Sequence, residues 1–130
     1  MTTFESPRRP PMPLQPAPPQ PRTPFNVEVE PDRDRVILIP EGELDLATVD
    51  RLGAAIDGLV DAGFETLVLD LRRLTFMDST GLCLILRQSR RSDVDIHLID
   101  GVGVVARLFD VCGVRDRLTF TNPRALRRRG

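Results

Sequence analysis

The order of apolar and polar positions predicts two strands at the start of the folded part of the chain. Residues 25–30 alternate between apolar and polar side chains, which is typical of a half-buried strand. Residues 36–39 form a second apolar run, and the PDRD segment between them predicts a turn with Pro31 in its second position. We therefore expect a hairpin whose second strand ends at Gly42.

Residues 46–62 change to the spacing of an amphipathic helix. Asp45 is placed to cap the start of this helix, and Gly63 is placed to end it in a left-handed conformation. Residues 66–71, TLVLDL, are almost all apolar, which is typical of a central strand. The expected inward positions of the helix are Val49, Leu52, Ile56, Leu59 and Val60.

The second half of the body predicts two more helices and two more strands. One helix begins near residue 82 and ends near the arginines at 87, 90 and 91, and residues 94–100 form the next strand. A third helix covers residues 102–111, stops at Gly113, and is followed by a short strand at residues 118–120. Its expected inward residues are Val104, Val105, Leu108 and Phe109.

The predicted order of elements is β-β-α-β-α-β-α-β, which defines a fold class. Strands joined through helices by short loops require right-handed crossovers and mainly parallel pairing. We expect one α/β domain at residues 25–122, with a mixed, mostly parallel sheet and helices mainly on one face. About 100 residues suffice to bury one core.

Both flanking segments have a composition unlike that of the body. Residues 1–24 hold nine of the twelve prolines and are predicted to be a disordered tail, with a ligand for a polyproline-binding groove as the alternative. Residues 123–130 form a basic tail, which is either solvated charge or a contact for an anionic partner. The net charge of −1 leaves −7 on residues 25–123, and such an acidic body argues against direct binding of nucleic acid.

No segment of the sequence predicts a membrane span or a signal peptide. Cys83 and Cys112 lie in apolar contexts without a CxxC or Cys/His pattern, so we expect buried free thiols in a reducing cytoplasm. A cytoplasmic monomer that does not contact the membrane is the resulting expectation.

A polar segment, Asp78-Ser79-Thr80-Gly81, interrupts two apolar runs. We expect it in the loop between a buried strand and a helix, where α/β folds place functional groups. A helix cap alone would explain this composition, because the oxygen of Asp78, Ser79 or Thr80 can accept from an unpaired backbone N–H. Gly81 would allow a tight turn and leave space beside the loop.

Three segments resemble the bacterial anti-sigma-factor antagonists of the STAS domain family. They are EGELDLATVDRL at residues 41–52, LVLDLRRLTFMDSTGLCLIL at residues 67–86 and GVVARLFDVCGV at residues 103–114. FMDSTGL is the most specific part, and the resemblance extends over residues 27–120. It implies a regulatory protein that binds an anti-sigma factor and thereby frees a sigma factor.

The resemblance also implies a site and a mode of regulation. The anti-sigma factor is typically a serine kinase that phosphorylates the hydroxyl residue after the motif's aspartate, which is Ser79 here, and a phosphatase reverses the modification. Thr80, where many relatives have serine, is the less favoured acceptor. Asp78 is expected to position the Ser79 hydroxyl, to cap the helix, or both. The partner-binding residues implied are Gly42, Asp45, Asp78, Ser79, Thr80 and Gly81, although hairpin and cap roles explain Gly42 and Asp45 nearly as well.

Catalysis by this chain has little support in the sequence. Ser79 lacks the GxSxG context of a hydrolase nucleophile, and the single histidine, His97, lies in a strand pattern. We expect no catalytic residue, cofactor or metal, since neither a glycine-rich phosphate loop nor a metal-ligand cluster occurs in the sequence. The alternative function is that of a STAS scaffold in a stress-signalling assembly or an accessory subunit of a membrane transporter.

Overall fold

Strands and helices alternate along the residues that the structure, a computed structural model, describes, which are residues 24–125. Of the tails predicted at residues 1–24 and 123–130, residues 1–23 and 126–130 lie outside these described residues. The elements are β1 (Asn26–Asp32), β2 (Arg35–Leu44), α1 (Val49–Asp61), β3 (Thr66–Asp70), β4 (Leu74–Met77), α2 (Ser79–Ser89), β5 (Asp95–Ile99) and α3 (Val104–Cys112). Short 3-10 turns follow at Arg115–Arg117 and Pro123–Ala125.

One mixed sheet contains all five strands of the described region. Its order is β1-β2-β3-β5, and β4 pairs separately with β2. β1 and β2 are antiparallel, whereas β2 with β3, β3 with β5, and β2 with β4 are parallel. The expected mixed and mostly parallel sheet is therefore confirmed.

The hairpin of β1 and β2 is confirmed, but the position predicted for its turn is wrong. Pro31 lies within β1 opposite Val36, and the turn is at Arg33, which has a φ of 65°. β1 can hold a proline because it is an edge strand, where a missing N–H need not break a ladder. The buried carboxylate of Asp32 closes the hairpin by pairing with Arg35 at 2.9 Å.

β2 continues past Gly42 to Leu44, so the prediction that Gly42 ends this strand is wrong. Gly42 has a φ of 108° and lies where the register of β2 shifts. β2 pairs with β3 at residues 36–38 and with β4 at residues 42–44, and its register with β4 shifts between Gly42 and Glu43. Glycine tolerates the positive φ found at this irregularity.

The order of elements also differs from the prediction at two places. β4 was not predicted, because its four residues follow β3 after only a short turn and carry no clear alternation. The last predicted strand is reduced to an isolated parallel bridge between Leu98 and Phe120. The observed order is therefore β-β-α-β-β-α-β-α.

The main core lies between the sheet and the helices. Val36 and Leu38 of β2 join this core, and the intervening Ile37 and Ile39 point to the opposite face. On that second face the buried apolar cluster contains strand residues alone, Ile37, Ile39, Val68 and Ile99. Helix residues of α1, α2 and α3 contribute to the first cluster only, which agrees with the expectation of helices mainly on one face.

Three side chains predicted to be buried are exposed. Cys83 and Cys112 are free and exposed, and Val104 is 52% exposed. Each helical residue is rotated by about 100° from its neighbour, so an apolar neighbour in sequence does not bring a side chain to the core. In α2 the inward direction is taken by Gly81, Leu82, Leu84 and Ile85.

Two helix ends follow the predicted glycine pattern. Gly113 ends α3 in a left-handed conformation, with φ 64° and ψ 37°. Gly63, which follows α1, also has a positive φ of 104°. No helix among residues 24–125 combines the length and the apolar content needed to cross a membrane.

Candidate functional site

The ends of β2 and β4 bring two sequence motifs together. Because these strands are parallel and paired, the loop after Leu44 and the loop after Met77 leave the sheet on the same side. The backbone N–H of Asp78 donates to the carbonyl of Leu44 at 3.2 Å. We call this side, formed by the loops that follow β2 and β4, the carboxyl edge.

Asp78 caps α2, as predicted. Its backbone is extended, with φ −104° and ψ −173°, and its Oδ1 accepts from the N–H of Gly81 at 3.0 Å. Ser79 is the first residue of the helix and is exposed, whereas Thr80 is half-buried. The cap therefore holds the Ser79 hydroxyl at the surface of the carboxyl edge, beside a carboxylate.

Gly81 allows the first turn of α2 to lie directly on the sheet. A Cβ at this position would lie 2.8 Å from the carbonyl oxygen of Leu44 and 2.8 Å from Cγ of Met77. Atoms do not approach a real Cβ so closely, so glycine is required for this contact. The expectation of open space beside Gly81 is therefore wrong, because atoms of β2 and β4 fill it. The expected tight turn at Gly81 is wrong, because this residue is helical with an ordinary φ.

The loop after β2 is held by its own hydrogen bonds. Thr48 Oγ1 donates to the carbonyl of Glu43 at 2.7 Å and accepts from the N–H of Asp45 at 3.0 Å. Asp45 Oδ1 accepts from the N–H of Ala47 at 3.0 Å. Asp45 thus orders the loop, but it does not cap α1 as predicted, since the N-cap position is Thr48. Leu46, which lies in this loop between Asp45 and Thr48, is 77% exposed.

Gly42 lies at the base of the same edge. Its N–H donates to the carbonyl of Arg73 at 3.4 Å, and its carbonyl accepts from Thr75 Oγ1 at 3.1 Å. Thr75 is the residue of β4 that has no partner position in the register with β2. Gly42 therefore helps to join β4 to β2, and two strand residues separate it from the exposed loop that follows Leu44.

Sequence reasoning missed Thr48, whose hydroxyl orders the loop after β2, and Thr75, whose hydroxyl joins β4 to Gly42 of β2. Threonine at the position before an amphipathic helix was an available signal for Thr48, because threonine is a common N-cap residue. Thr75 had no such signal, since its role depends on an irregular pairing between β2 and β4 that only the folded chain contains.

The arginines that precede the Asp78 motif pair with carboxylates elsewhere. Arg72 makes two hydrogen bonds to Asp70, at 2.9 and 2.8 Å, and these raise the pKa of its guanidinium above the ordinary value. Arg73 pairs with Glu28 at 3.1 Å. The guanidinium groups of Arg72 and Arg73 thus pair with Asp70 and Glu28 rather than with Asp78. Asp78 and Asp45 add carboxylates to the edge that presents Ser79.

The remaining candidate groups lie away from Ser79. His97 is half-buried in the middle of β5, in register with Val68 of β3, and does not lie in a loop of the carboxyl edge. Within residues 24–125, no group of three His, Cys, Asp or Glu side chains is arranged to hold a metal ion. The arrangement thus offers an accessible hydroxyl at the N-terminus of a helix.

Comparison with known families identifies the class of this domain. The STAS domain model matches residues 25–125, and the chain therefore belongs to the STAS domain family. The expected single STAS-like α/β domain is confirmed.

Individual relatives give a more specific likeness. An anti-sigma-B factor antagonist of Staphylococcus aureus is 30% identical over 78 residues, which are 58% of this chain and 72% of the relative. A Staphylococcus epidermidis protein of the same name is 31% identical over 78 residues, with the same coverage of both chains.

Solved structures agree with this likeness. The anti-sigma factor antagonist SpoIIAA in its unphosphorylated form has a TM-score of 0.61 and 26% identity, covering 78% of this chain and 90% of its own. The phosphorylated form of the Bacillus cell fate determinant SpoIIAA has a TM-score of 0.56 and 25% identity, covering 78% and 94%. An antagonist from Mycobacterium paratuberculosis shares the fold, with a TM-score of 0.65 at 21% identity over 75% of this chain and 85% of its own.

Proposed function

We propose that this chain is an anti-sigma factor antagonist that is switched off by phosphorylation of Ser79. In its unmodified form it binds an anti-sigma factor, which is also its serine kinase, and so releases a sigma factor. The observation that carries this proposal is the exposed Ser79 hydroxyl at the start of α2, capped by Asp78 and adjoining the loop of Asp45. The names of the relatives support the antagonist role.

Exposure favours Ser79 over Thr80 as the acceptor. A kinase must place the hydroxyl in line with the γ-phosphoryl group of ATP, which requires free access from solvent. The Oγ of Ser79 would form a bond to phosphorus, its proton would pass to a base of the kinase, and ADP would leave. Thr80 is half-buried one position further along α2, so it is harder to reach.

Electrostatics gives a physical basis for the switch. Phosphorylation adds nearly two negative charges, and at Ser79 these would adjoin Asp78 on an acidic body. Like charges ~4 Å apart repel by roughly 4 kcal/mol at an effective dielectric constant near 20. If the partner brings another carboxylate to that distance, the same repulsion weakens binding by roughly a thousandfold.

We expect the domain itself to change little on phosphorylation. The first N–H groups of a helix lack intrahelical partners, and a helix N-terminus favours an anion. A phosphate at Ser79 would therefore be accommodated locally. That SpoIIAA resembles this chain in both its unphosphorylated and phosphorylated forms supports this expectation.

The decisive experiment is a phosphorylation assay. The chain is incubated with ATP and the purified cognate anti-sigma factor kinase, and the modified residue is found by mass spectrometry. We expect a single phosphate on Ser79 and none on Thr80. The absence of phosphate from Ser79, combined with stable co-purification with a membrane transporter, would instead support the alternative role of an accessory subunit.

Two variants test the switch in binding. Ser79→Ala should remain folded and bind the anti-sigma factor constitutively, because the acceptor is gone. Ser79→Asp should weaken binding, but less than phosphate does, since it carries one negative charge rather than nearly two. Equal affinity of the unmodified and phosphorylated chains in a calorimetric titration would refute the proposal.

The remaining parts of the proposal follow from this role. We place the binding domain at residues 25–122, between a Pro-rich tail and a basic tail. Gly42, Asp45, Asp78, Thr80 and Gly81 adjoin Ser79 in the partner interface. The protein acts in the cytoplasm as a non-enzymatic monomer without a cofactor or direct nucleic-acid contact, and a phosphatase restores the unmodified form.

A further inference from the structure

β4 contains one residue more than regular pairing with β2 would allow. Neighbouring residues of β2 lie opposite Leu74 and Phe76 of β4, so Thr75 between these two has no partner position. Leu74 and Met77 both belong to the main core, whereas a regular strand turns residues three apart to opposite faces. β4 therefore contains a β-bulge at Thr75, four residues before Ser79.

The hydroxyl of Thr75 ties this bulge to β2. Its Oγ1 donates to the carbonyl of Gly42 at 3.1 Å, and the N–H of Gly42 donates to the carbonyl of Arg73 at 3.4 Å. Gly42 has a φ of 108°, so the backbone of β2 is also irregular where it meets the bulge. Thr75 is exposed, so this hydrogen bond rather than core packing holds its side chain in place.

The bulge determines where β4 ends relative to β2. With Thr75 left out of the register, Met77 lies opposite Leu44, and the N–H of Asp78 donates to the Leu44 carbonyl at 3.2 Å. If Thr75 were paired instead, each later residue would lie one strand position, about 3.3 Å, further along β2. Phe76 would then lie opposite Leu44. The bulge therefore withdraws the start of α2 by about the rise of one strand residue.

The position of Met77 also decides how α2 begins. Met77 is 3% exposed and lies beneath the first turn of α2, since a Cβ on Gly81 would lie 2.8 Å from its Cγ. Asp78 follows in an extended conformation and caps the helix through the N–H of Gly81. Ser79 is the next residue after this cap, so a shift of β4 by one position would move its hydroxyl as well.

We propose that Thr75 is a positioning residue for the phosphorylation of Ser79, and that it acts through the bulge that its hydroxyl holds. This inference rests on the proposed function, because it takes Ser79 as the phosphate acceptor. Reacting atoms must lie about 3–3.5 Å apart, and a misplacement of about 1 Å can cost about a hundredfold in rate. Thr75 fixes how far from the sheet the Ser79 hydroxyl is presented, without contact with the reacting groups.

The test separates the hydroxyl of Thr75 from the shape of its side chain. Thr75→Val keeps the β-branched shape and removes the donor to Gly42, whereas Thr75→Ser keeps the donor. The full chain is phosphorylated with ATP and the purified kinase that modifies Ser79. Thr75→Val should lower kcat about tenfold and change KM by less than about twofold, because the chain still docks while its acceptor oxygen is misplaced. Thr75→Ser should keep kcat within about twofold of the wild type.

Thr119→Val is the matched control for loss of a threonine hydroxyl. Thr119 is exposed beside β5, two strands away from β2, and its substitution should leave kcat and KM unchanged. All three variants should unfold within a few degrees of the wild type, because both side chains are exposed. If Thr75→Val matches Thr119→Val in kcat, or if Thr75→Ser is as slow as Thr75→Val, the positioning role is wrong and the switch at Ser79 stands.

A measurement on the chain alone separates this inference from the proposed function. Amide hydrogen exchange, followed by NMR, reports the hydrogen bond from the N–H of Asp78 to the Leu44 carbonyl. Exchange at Asp78 should be about tenfold faster in Thr75→Val and unchanged in Thr119→Val. Unchanged exchange in Thr75→Val would refute the role of Thr75 even if the kinase modifies Ser79. If the kinase leaves Ser79 of the wild type unmodified, the proposed function fails, and the positioning role fails with it whatever the exchange rate.

Discussion

The start of α2 is held on the sheet by close backbone packing, whereas the end of α3 is held by ion pairs of a charged side chain. At the start of α2, Gly81 brings the helix onto the carbonyl of Leu44. At the end of α3, the guanidinium of Arg115 pairs with Asp100 at 2.9 Å and Asp110 at 2.5 Å. The same guanidinium lies 5.5 and 5.1 Å from the ring centroids of Phe109 and Phe120.

This difference bears on which side chains are available to a partner. At the start of α2, Gly81, the Leu44 carbonyl and the capping carboxylate of Asp78 hold the helix against the sheet. Ser79 and Leu46 can therefore face solvent. At the end of α3, the side chain of Arg115 itself holds the helix in place. Its guanidinium lies between two carboxylates and two phenylalanine rings. A surface for recognition is thus more readily built at the start of α2 than at the end of α3.

The largest effect should come from filling the space at Gly81. Gly81→Ala forces Cβ against the Leu44 carbonyl and Met77, and should lower the free energy of unfolding by about 1–3 kcal/mol. Gly58→Ala in α1 is the control, because no atom lies within 4 Å of its Cβ. It should stabilise the protein by about 0.5–1 kcal/mol. Urea unfolding measures both, and equal effects would show that close packing does not fasten α2.

Removal of the guanidinium should loosen the end of α3. Arg115→Ala should cost about 1–2 kcal/mol, since it removes partly exposed ion pairs together with contacts to two rings. Part of this loss should disappear at high salt, which screens the ion pairs. Arg107→Ala, on the exposed side of the same helix, is the control and should leave the unfolding midpoint unchanged. A similar loss in both variants would contradict a specific role for Arg115.

A smaller effect should separate the cap of Asp78 from its charge. Asp78→Ala should cost about 1 kcal/mol, because the N–H of Gly81 loses its acceptor. Asp78→Asn keeps an oxygen acceptor and should retain most of the stability. In the phosphorylated chain, Asp78→Asn should also recover part of the affinity for the anti-sigma factor. Equal destabilisation by Ala and Asn would mean that charge, rather than the hydrogen bond, stabilises the helix.

The smallest effect concerns an exposed ion pair at the other end of α2. Hydrogen bonds from Arg91 lower the pKa of Asp93 below its ordinary value of 3.8. The stabilisation from this pair is therefore present above that value and is lost as the pH falls through the pKa of the folded state. Arg91→Gln should return the pKa of Asp93 towards 3.8, as followed by NMR titration of the carboxyl carbon. Arg90→Gln is the control, and an unchanged pKa of Asp93 in both variants would contradict the assignment.

Most of the fold could be predicted because each pattern involved was local. The alternation in β1, the helical spacing of Leu52 and Ile56 in α1, and the apolar run of β3 each correspond to an element that the structure contains. β4 was missed because four residues are too few to show a period. The exposure of Cys83 was missed because the face of a helix depends on its rotation against the sheet.

Within the candidate site, the sequence indicated the Asp78 motif and the loop with Asp45, but not how they meet. The change of partner along β2, from β3 at residues 36–38 to β4 at residues 42–44, determines that these two loops adjoin. The requirement for glycine at position 81 likewise arises from the Leu44 carbonyl, 37 residues earlier in the chain. Neither relation is encoded in a local pattern.

The sequence by itself determined the class of fold, the cap at Asp78 and the hydroxyl that follows it, because short-range spacing and hydrogen-bonding capacity decide these features. Tertiary structure alone decided which loops share the carboxyl edge, which apolar side chains remain outside the core, and why position 81 requires glycine. The physical reason is that pairing between distant strands sets the relative positions of separate segments. Burial then follows from those positions rather than from the hydrophobicity of each residue.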